Sequence, residues 1–162
     1  MKFLKQILAA GFALAMAHSV SASIISVNGT EVEALDLNGS YSSFLDFYDY
    51  NTVNRFTSNT GLEQSDTIVM FFAELNSELS LFTLVSGPLG GRGAASFSVS
   101  GSDGSVSFVD DPSESSNSLI SWGYDKNRGD GLIYSDLTDD SWILGFEFSS
   151  LTNILGFEFL TF

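Results

Sequence analysis

The chain has 162 residues, and 20 acidic side chains against six basic ones give it a formal net charge of −14. This charge excludes nucleic acid as a partner, because binding to its phosphates requires a basic face. The chain contains no cysteine, so a packed core, for which the length suffices, must stabilise it without disulfides.

The first 22 residues have the pattern of a secretory signal peptide. Lys2 and Lys5 give a cationic start, residues 7–17 form an apolar run, and residues 20–22 supply a small-x-small cleavage site. The run is too short for a membrane-spanning helix. We therefore predict a signal peptide over residues 1–22, a single domain over residues 23–162, no transmembrane helix, and secretion to the periplasm or the extracellular space.

Cleavage after Ala22 would also remove His18, the only histidine, and leave four basic against 20 acidic side chains, a net charge of −16. A chain without histidine and cysteine cannot form a Ser-His-Asp triad, a Cys-His pair or a His-ligated zinc site. Carboxylate chemistry of the glycan hydrolase type remains open, although no motif indicates it. We therefore predict a noncatalytic protein.

The first part of the predicted domain contains a hairpin and an ambiguous aromatic segment. Residues 24–27 and 30–35 flank Asn28-Gly29, which is typical of a two-residue hairpin turn. Residues 41–56 are rich in aromatic side chains, some of them spaced as in one helical turn. Because aromatic and β-branched residues favour strands, we predict a strand rather than a helix in this segment.

The middle of the chain predicts two further hairpins. Residues 66–73 are continuously apolar, which is typical of a strand buried on both faces, and residues 79–85 follow as its natural partner. Residues 96–100 and 105–108 alternate serine with apolar side chains around a Gly-Ser-Asp-Gly turn, and predict a third hairpin.

Three more strands complete the predicted fold. They lie at residues 119–124, 132–134 and 142–148, with Asp-rich turns between them. Together these patterns predict an all-β fold, a jelly-roll-like antiparallel β-sandwich of about nine or ten short strands.

The end of the chain carries an internal repeat. The hexapeptide Ile-Leu-Gly-Phe-Glu-Phe occupies residues 143–148 and recurs unchanged at residues 154–159. Strict alternation places its Leu and both Phe on one face. We predict that the two copies pair as neighbouring antiparallel strands and bury their Phe rings.

An acidic, glycine-containing loop is the best candidate for a metal site. Hard oxygen ligands at near-alternate positions around a glycine-rich bend are what Ca²⁺ prefers. The predicted calcium ligands are Asp125, Asn127, Asp130 and Asp136. An ordinary Asx/Gly turn explains the same residues, so both interpretations stay open. Calcium is the one cofactor that the sequence suggests.

Aromatic residues beside this loop suggest a second kind of site. Trp122, Tyr124 and Trp142 could form a platform on which sugar rings stack. In a β-sandwich the same residue types also serve as core.

A set of short segments between about residues 62 and 142 follows a recognisable order along the chain. It comprises residues 79–82, residues 101–104 with Phe108, residues 122–124, residues 129–133, Leu137 and Trp142. In this order the chain resembles small exported β-sandwich proteins of Gram-negative bacteria, namely the PEP-CTERM proteins and the pre-peptidase C-terminal domains. The resemblance implies attachment to a cell surface or an extracellular matrix, although the sorting tail of the PEP-CTERM proteins is not matched after Phe148.

These observations predict an exported, noncatalytic module for binding, adhesion or structure, associated with a surface or a matrix. Its predicted partner is a glycan or another cell-surface or matrix component, and the oligomeric state stays open. One alternative is a small outer-membrane β-barrel, which the terminal Phe162 would suit. The other is a carboxylate-dependent glycan hydrolase.

Overall fold

The computed structural model describes residues 25–50, 60–86, 93–111, 113, 115–116, 119–124, 128–138 and 142–162. In these residues it shows twelve strands and one short helix, so the predicted all-β class is confirmed with somewhat more strands than expected. No helix within the described segments is long and apolar enough to cross a membrane. The predicted signal peptide and its cleavage site lie outside these residues.

The chain divides after Glu31 into two units. The hairpin at the start of the described chain consists of β1 (Ile25–Val27) and β2 (Thr30–Val32). Its turn residues Asn28 and Gly29 have φ angles of 51° and 82°. A two-residue turn of this hand matches the twist of the strands, and the predicted hairpin is confirmed.

The second unit, Val32–Phe162, contains two larger sheets. One has six strands in the order β12-β4-β5-β10-β7, with β3 also paired to β4; the other has the order β11-β6-β9-β8. The six-stranded sheet contains β3 (Leu35–Asp36), β4 (Thr67–Leu75), β5 (Glu78–Ser86), β7 (Ser105–Val109), β10 (Gly129–Ser135) and β12 (Gly156–Phe159). The four-stranded sheet contains β6 (Gly93–Gly101), β8 (Ser115–Ser116), β9 (Leu119–Tyr124) and β11 (Leu144–Thr152). The pairings are antiparallel except those of β3 and β12 with β4, which are parallel.

The hairpin of β4 and β5 forms the centre of the six-stranded sheet, as predicted. Its turn is Asn76-Ser77, with both residues at positive φ. Ile68 and Val69, on opposite faces of β4, are both fully buried. The continuous apolar run therefore does belong to a strand covered on both sides.

The predicted hairpin of residues 96–100 and 105–108 is wrong. The first segment lies in β6 and the second in β7, and these strands belong to different sheets. Residues 101–104 carry the chain across, and the Tyr134 hydroxyl fixes this corner by donating to the carbonyl oxygens of Asp103 and Gly104, each at 3.0 Å. The alternating pattern does not distinguish the two cases, because strands that face one core from opposite sheets alternate in the same way.

The predicted strand in the aromatic segment is also wrong, because residues Phe44–Tyr48 form a helix, α1. Ser43 caps it, its Oγ accepting the Asp46 N–H at 3.0 Å. The Asp46 carboxylate accepts the N–H and the hydroxyl of Ser42, and these bonds, the backbone one first, lower the pKa of Asp46. A cap with an acid in the first turn outweighs the aromatic preference for strands.

Helix α1 covers one face of the six-stranded sheet. Phe47 lies edge-on against Phe82, with ring centroids 5.5 Å apart, and Phe82 stacks on Phe71 at 5.1 Å. The buried core on this face comprises Leu37, Phe47, Tyr48, Val69, Phe71, Ala73, Leu75, Phe82, Leu84 and Ile133.

The opposite face of the six-stranded sheet packs against the four-stranded sheet, which makes the domain a β-sandwich. Alternation along the strands directs the remaining buried side chains into this second core. Those of the six-stranded sheet include Ile68, Phe72, Leu81, Val85 and Leu132, and those of the four-stranded sheet Ala95, Phe97, Val99, Ile120 and Trp122. Helix α1 is thus a third layer on the outside of the sandwich.

The repeated hexapeptides do not pair with each other, so that prediction is wrong. The first copy lies in β11, which pairs with β6, and the second in β12, which runs parallel to β4. The carbonyl of Asp66 accepts the N–H groups of Leu155 and Gly156, which directs the chain to the other sheet. The rings of Phe148 and Phe157, one from each copy, lie 5.0 Å apart.

Candidate functional site

A buried carboxylate links helix α1 to the six-stranded sheet. Asp110, directly after β7, is 2% exposed, and its Oδ2 accepts the Tyr48 hydroxyl at 2.9 Å. Its Oδ1 accepts the Asp111 N–H, and its own N–H donates to the Gly131 carbonyl. Burial raises the pKa of Asp110 to about 7, outweighing the hydrogen bonds that favour its charged form. Asp110 is therefore close to half-protonated at neutral pH.

A second tyrosine lies beside this carboxylate. The Tyr50 hydroxyl donates to Oδ1 of Asp111 at 3.1 Å. Burial, this hydrogen bond and the nearby charges of Asp111, Asp110 and Asp130 raise the pKa of Tyr50. The phenol therefore stays protonated and available as a donor across the physiological range. Two tyrosines and three acids form an acid–tyrosine cluster at this end of the sheet.

Gly131 makes room for this cluster. A Cβ on Gly131 would collide with the Tyr48 hydroxyl and would lie 2.9 Å from Leu84 Cδ2. Gly123, on the outer face of β9, has no atom within 4 Å of an added Cβ. Neither glycine has a left-handed φ. The two positions therefore differ in the space available for a side chain and not in backbone conformation.

We therefore expect Gly131→Ala to lower the free energy of unfolding by about 1–3 kcal/mol, the usual cost of overpacking a core. Gly123→Ala should leave it unchanged or slightly raise it. Urea denaturation of both variants checks this. Equal midpoints would show that Tyr48 is not held against this strand.

The structure separates two of the four predicted calcium ligands, Asp130 and Asp136. Asp125 and Asn127 lie outside the described residues. Asp130 is in β10 and 3% exposed, whereas Asp136 is exposed just beyond the other end of that strand. Six residues of extended chain span about 20 Å, which is more than a single ion bridges.

No group of three or more His, Cys, Asp or Glu positioned to hold a metal was found in the described part of the chain. Calcium binding, predicted for Asp125, Asn127, Asp130 and Asp136, stays a prediction, with Asp130 and Asp136 too far apart to hold the same ion.

The predicted sugar-stacking platform is not formed by Trp122. Its indole is 2% exposed and packs edge-on against Phe97, with ring centroids 4.7 Å apart. Trp142 is half-buried and lies 5.3 Å from the Phe72 ring, and the Tyr124 side chain lies outside the described residues. Trp122 is therefore a core residue of the sandwich.

Exposed apolar side chains concentrate where the chain passes from β11 to β12. Both are edge strands, and only residues 153–155 connect them, so the two edges lie on the same side of the sandwich. The described residues include eight exposed large apolar side chains, and four of them belong to this region. We call these four the edge patch: Ile143 is 78% exposed, Leu151 40%, Leu155 85% and Phe157 54%.

Sequence reasoning missed both features. It took Asp110 and Asp111 for a solvated pair in a turn, and it placed Phe157 in the core, although this ring is 54% exposed. Burial of Asp110 depends on Tyr48, which lies 62 positions earlier in the chain. No local sequence pattern predicts a contact between residues so far apart. The repeat was visible, but the sheet to which each copy belongs was not.

Comparison of the chain with known protein families, with curated proteins and with solved structures finds no match.

Proposed function

We propose that the chain is an exported, noncatalytic module that associates with a cell-surface or matrix component through the edge patch. The observation that supports this proposal is the concentration of four exposed apolar side chains along one side of the sandwich. Apolar side chains that are exposed in numbers along one side of a protein are typical of interaction sites. Export is supported by the signal-like first 22 residues.

The charge of the chain limits the chemistry of the partner. The hexapeptides that frame the edge patch each contain one acid, Glu147 and Glu158, both exposed, and no base. An apolar surface bordered by carboxylates favours a neutral or weakly basic partner and disfavours anionic lipid. A neutral glycan or a protein surface of the envelope or matrix fits this description.

The glycan hydrolase alternative draws no support from Asp110. A raised pKa suits a general acid, but this carboxyl group is buried and its Oδ2 is taken by the Tyr48 hydroxyl. Tyr48 itself is fully buried, so a substrate has no path to the pair. The described residues give no positive indication of catalysis.

Removing two exposed side chains from the edge patch should abolish most of the association. Each buried apolar side chain contributes roughly 1.5–3 kcal/mol. We therefore expect the double variant Ile143→Ser, Leu155→Ser to bind isolated cell envelopes and matrix at least tenfold more weakly than the wild type. Co-sedimentation with envelopes at increasing protein concentration measures this.

A matched control removes apolar surface elsewhere. Leu45 and Leu119 are 51% and 46% exposed and lie outside the edge patch. The double variant Leu45→Ser, Leu119→Ser should bind as the wild type does. Equal losses in both double variants, or no saturable binding by the wild type, would refute the proposal.

A further inference from the structure

Strand β11 has the properties of an edge that pairs with another strand. It is nine residues long, terminates the four-stranded sheet and contains one charged residue, Glu147, and no proline. Such an edge presents a row of backbone N–H and C=O groups, and natural proteins usually protect it with charges, prolines or a covering segment. A register shift after Phe148 restricts the regular part of this edge to residues 144–148.

We propose that a second copy of this chain covers the edge, with β11 pairing antiparallel to β11 of its partner across a two-fold axis. This inference goes beyond the proposed function, because pairing covers residues 144–148 of β11 and leaves Leu151 and Leu155 of the edge patch exposed for another partner. A two-fold axis perpendicular to the sheet makes identical strands antiparallel. Full pairing of residues 144–148 places that axis at Phe146, and the two four-stranded sheets become one of eight strands.

The side chains of β11 are complementary in this register. Phe146 and Phe148 pair with the buried residues Val99 and Phe97, so they point to the inner face, while Glu147 points outward. Opposite residues of an antiparallel pair share a face. Across the axis, Phe146 therefore faces Phe146, and Leu144 faces Phe148, all on the apolar inner side.

The charge of Glu147 disfavours the neighbouring register, which is centred on Glu147 itself. Centred on Phe146, the pairing sets Glu147 opposite Gly145, a residue without a side chain. Centred one position later, it would set the two Glu147 carboxylates directly opposite each other, about 5 Å apart, which destabilises a sheet. The single charge of β11 thus disfavours the register centred on Glu147, and full pairing of residues 144–148 favours the one centred on Phe146.

The repeat extends the contact to the second layer of the sandwich. β12 carries the same hexapeptide at the edge of the six-stranded sheet. Its Phe157 ring lies 5.0 Å from the ring of Phe148, which faces the partner's Leu144 in this register. Leu151 and Leu155 lie beyond the paired segment, so Ile143 and Phe157 are the exposed side chains that the partner covers. They are 78% and 54% exposed, and at roughly 200 Å² for a fully exposed large side chain they offer about 260 Å² per copy. With the backbone pairing this corresponds to a small interface of the transient kind, so we expect a micromolar dimer.

Sedimentation velocity on the exported protein tests the association. We expect a monomer–dimer equilibrium in the micromolar range. It should tighten as salt rises, because both copies are strongly acidic and salt screens their repulsion. Ile143→Glu with Phe157→Glu should weaken dimerisation at least tenfold, while Leu45→Glu with Leu119→Glu adds the same charge and should leave it unchanged. A monomer at millimolar concentration, or equal losses in both double variants, overturns the inference.

Cysteine cross-linking tests the register, because the natural chain contains no cysteine. Under oxidation, an equal mixture of Gly145→Cys and Glu147→Cys proteins should form a disulfide-linked dimer that joins the two variants. Each variant alone should link at least tenfold more slowly. Rapid linking of Glu147→Cys to itself would place two glutamates opposite each other and overturn the register proposed here.

Failure of this inference can be distinguished from failure of the proposed function. A chain that stays monomeric but loses envelope binding on Ile143→Ser, Leu155→Ser overturns the dimer and leaves surface association intact. A chain that dimerises as described but binds no envelope or matrix supports the dimer and refutes association with an external component.

Discussion

Replacing Phe82 by alanine is expected to lower the free energy of unfolding by about 3–5 kcal/mol, the usual cost of deleting a buried aromatic ring. Phe82 is fully buried in the centre of the six-stranded sheet. Its ring stacks on Phe71 and lies edge-on to Phe47 of helix α1, so its loss opens a cavity shared by the helix and the sheet. The free energy of unfolding of an ordinary domain is about 5–15 kcal/mol. The loss expected for Phe82→Ala is a large part of it and should lower the melting temperature by many degrees.

Phe157 provides the matched control for this prediction. It is the same residue type in the same sheet, but it is 54% exposed and contacts Phe148 at the edge of the sandwich. Phe157→Ala should therefore cost less than half as much as Phe82→Ala in urea denaturation. Equal costs for both variants would mean that the second hexapeptide is buried after all, as its alternating sequence alone suggests.

Local patterns predicted the elements of this fold well. Asn28-Gly29 and Asn76-Ser77 occupy turns with positive φ, and the apolar run before the second turn forms a central strand. These features depend on residues close together in the chain, where backbone geometry and alternation decide the outcome. The class of fold follows from them directly.

The assignment of strands to sheets was not predictable in the same way. An alternating sequence shows that one side of a strand faces a core. It does not show to which of the two sheets around that core the strand belongs. For the strands on either side of residues 101–104 and for the two hexapeptides, non-local hydrogen bonds determine the sheet to which each strand belongs. The acceptors are backbone carbonyls such as those of Asp103 and Asp66, and any residue type can supply them.

The candidate site was predictable only in part. Exposure of Ile143, Leu155 and Phe157 in the hexapeptides follows from their position at the edges of both sheets, which the sequence does not reveal. Burial of Asp110 requires the hydroxyl of Tyr48 and the absence of a side chain at Gly131, three positions that are distant in sequence. Because the chain has 20 acidic residues, the sequence does not distinguish this buried carboxylate from the exposed ones.

The buried Asp110 should make the protein less stable as the pH rises through neutrality. Its pKa is raised from 3.8 to about 7 in the folded chain, so between these values the folded state holds a proton that the unfolded state has released. Stability is therefore highest at the acidic end of this window and falls towards pH 7. One pKa unit corresponds to about 1.4 kcal/mol, so the loss between pH 5 and pH 8 is about 2–3 kcal/mol.

Asp110→Asn should remove this pH dependence. The amide keeps an oxygen that accepts the Tyr48 hydroxyl, but it carries no charge to desolvate at pH 8. We expect the stability advantage of the variant over the wild type to grow by about 2–3 kcal/mol between pH 5 and pH 8. Asp136→Asn removes an acidic group at an exposed position. Asp136 has positive φ, which asparagine also tolerates. The free energy of unfolding of this variant should therefore follow that of the wild type at every pH. Urea denaturation at pH 5, 6, 7 and 8 gives the four free energies for each protein. Parallel curves for the wild type and Asp110→Asn would mean that this carboxylate is solvated and that helix α1 is held without it.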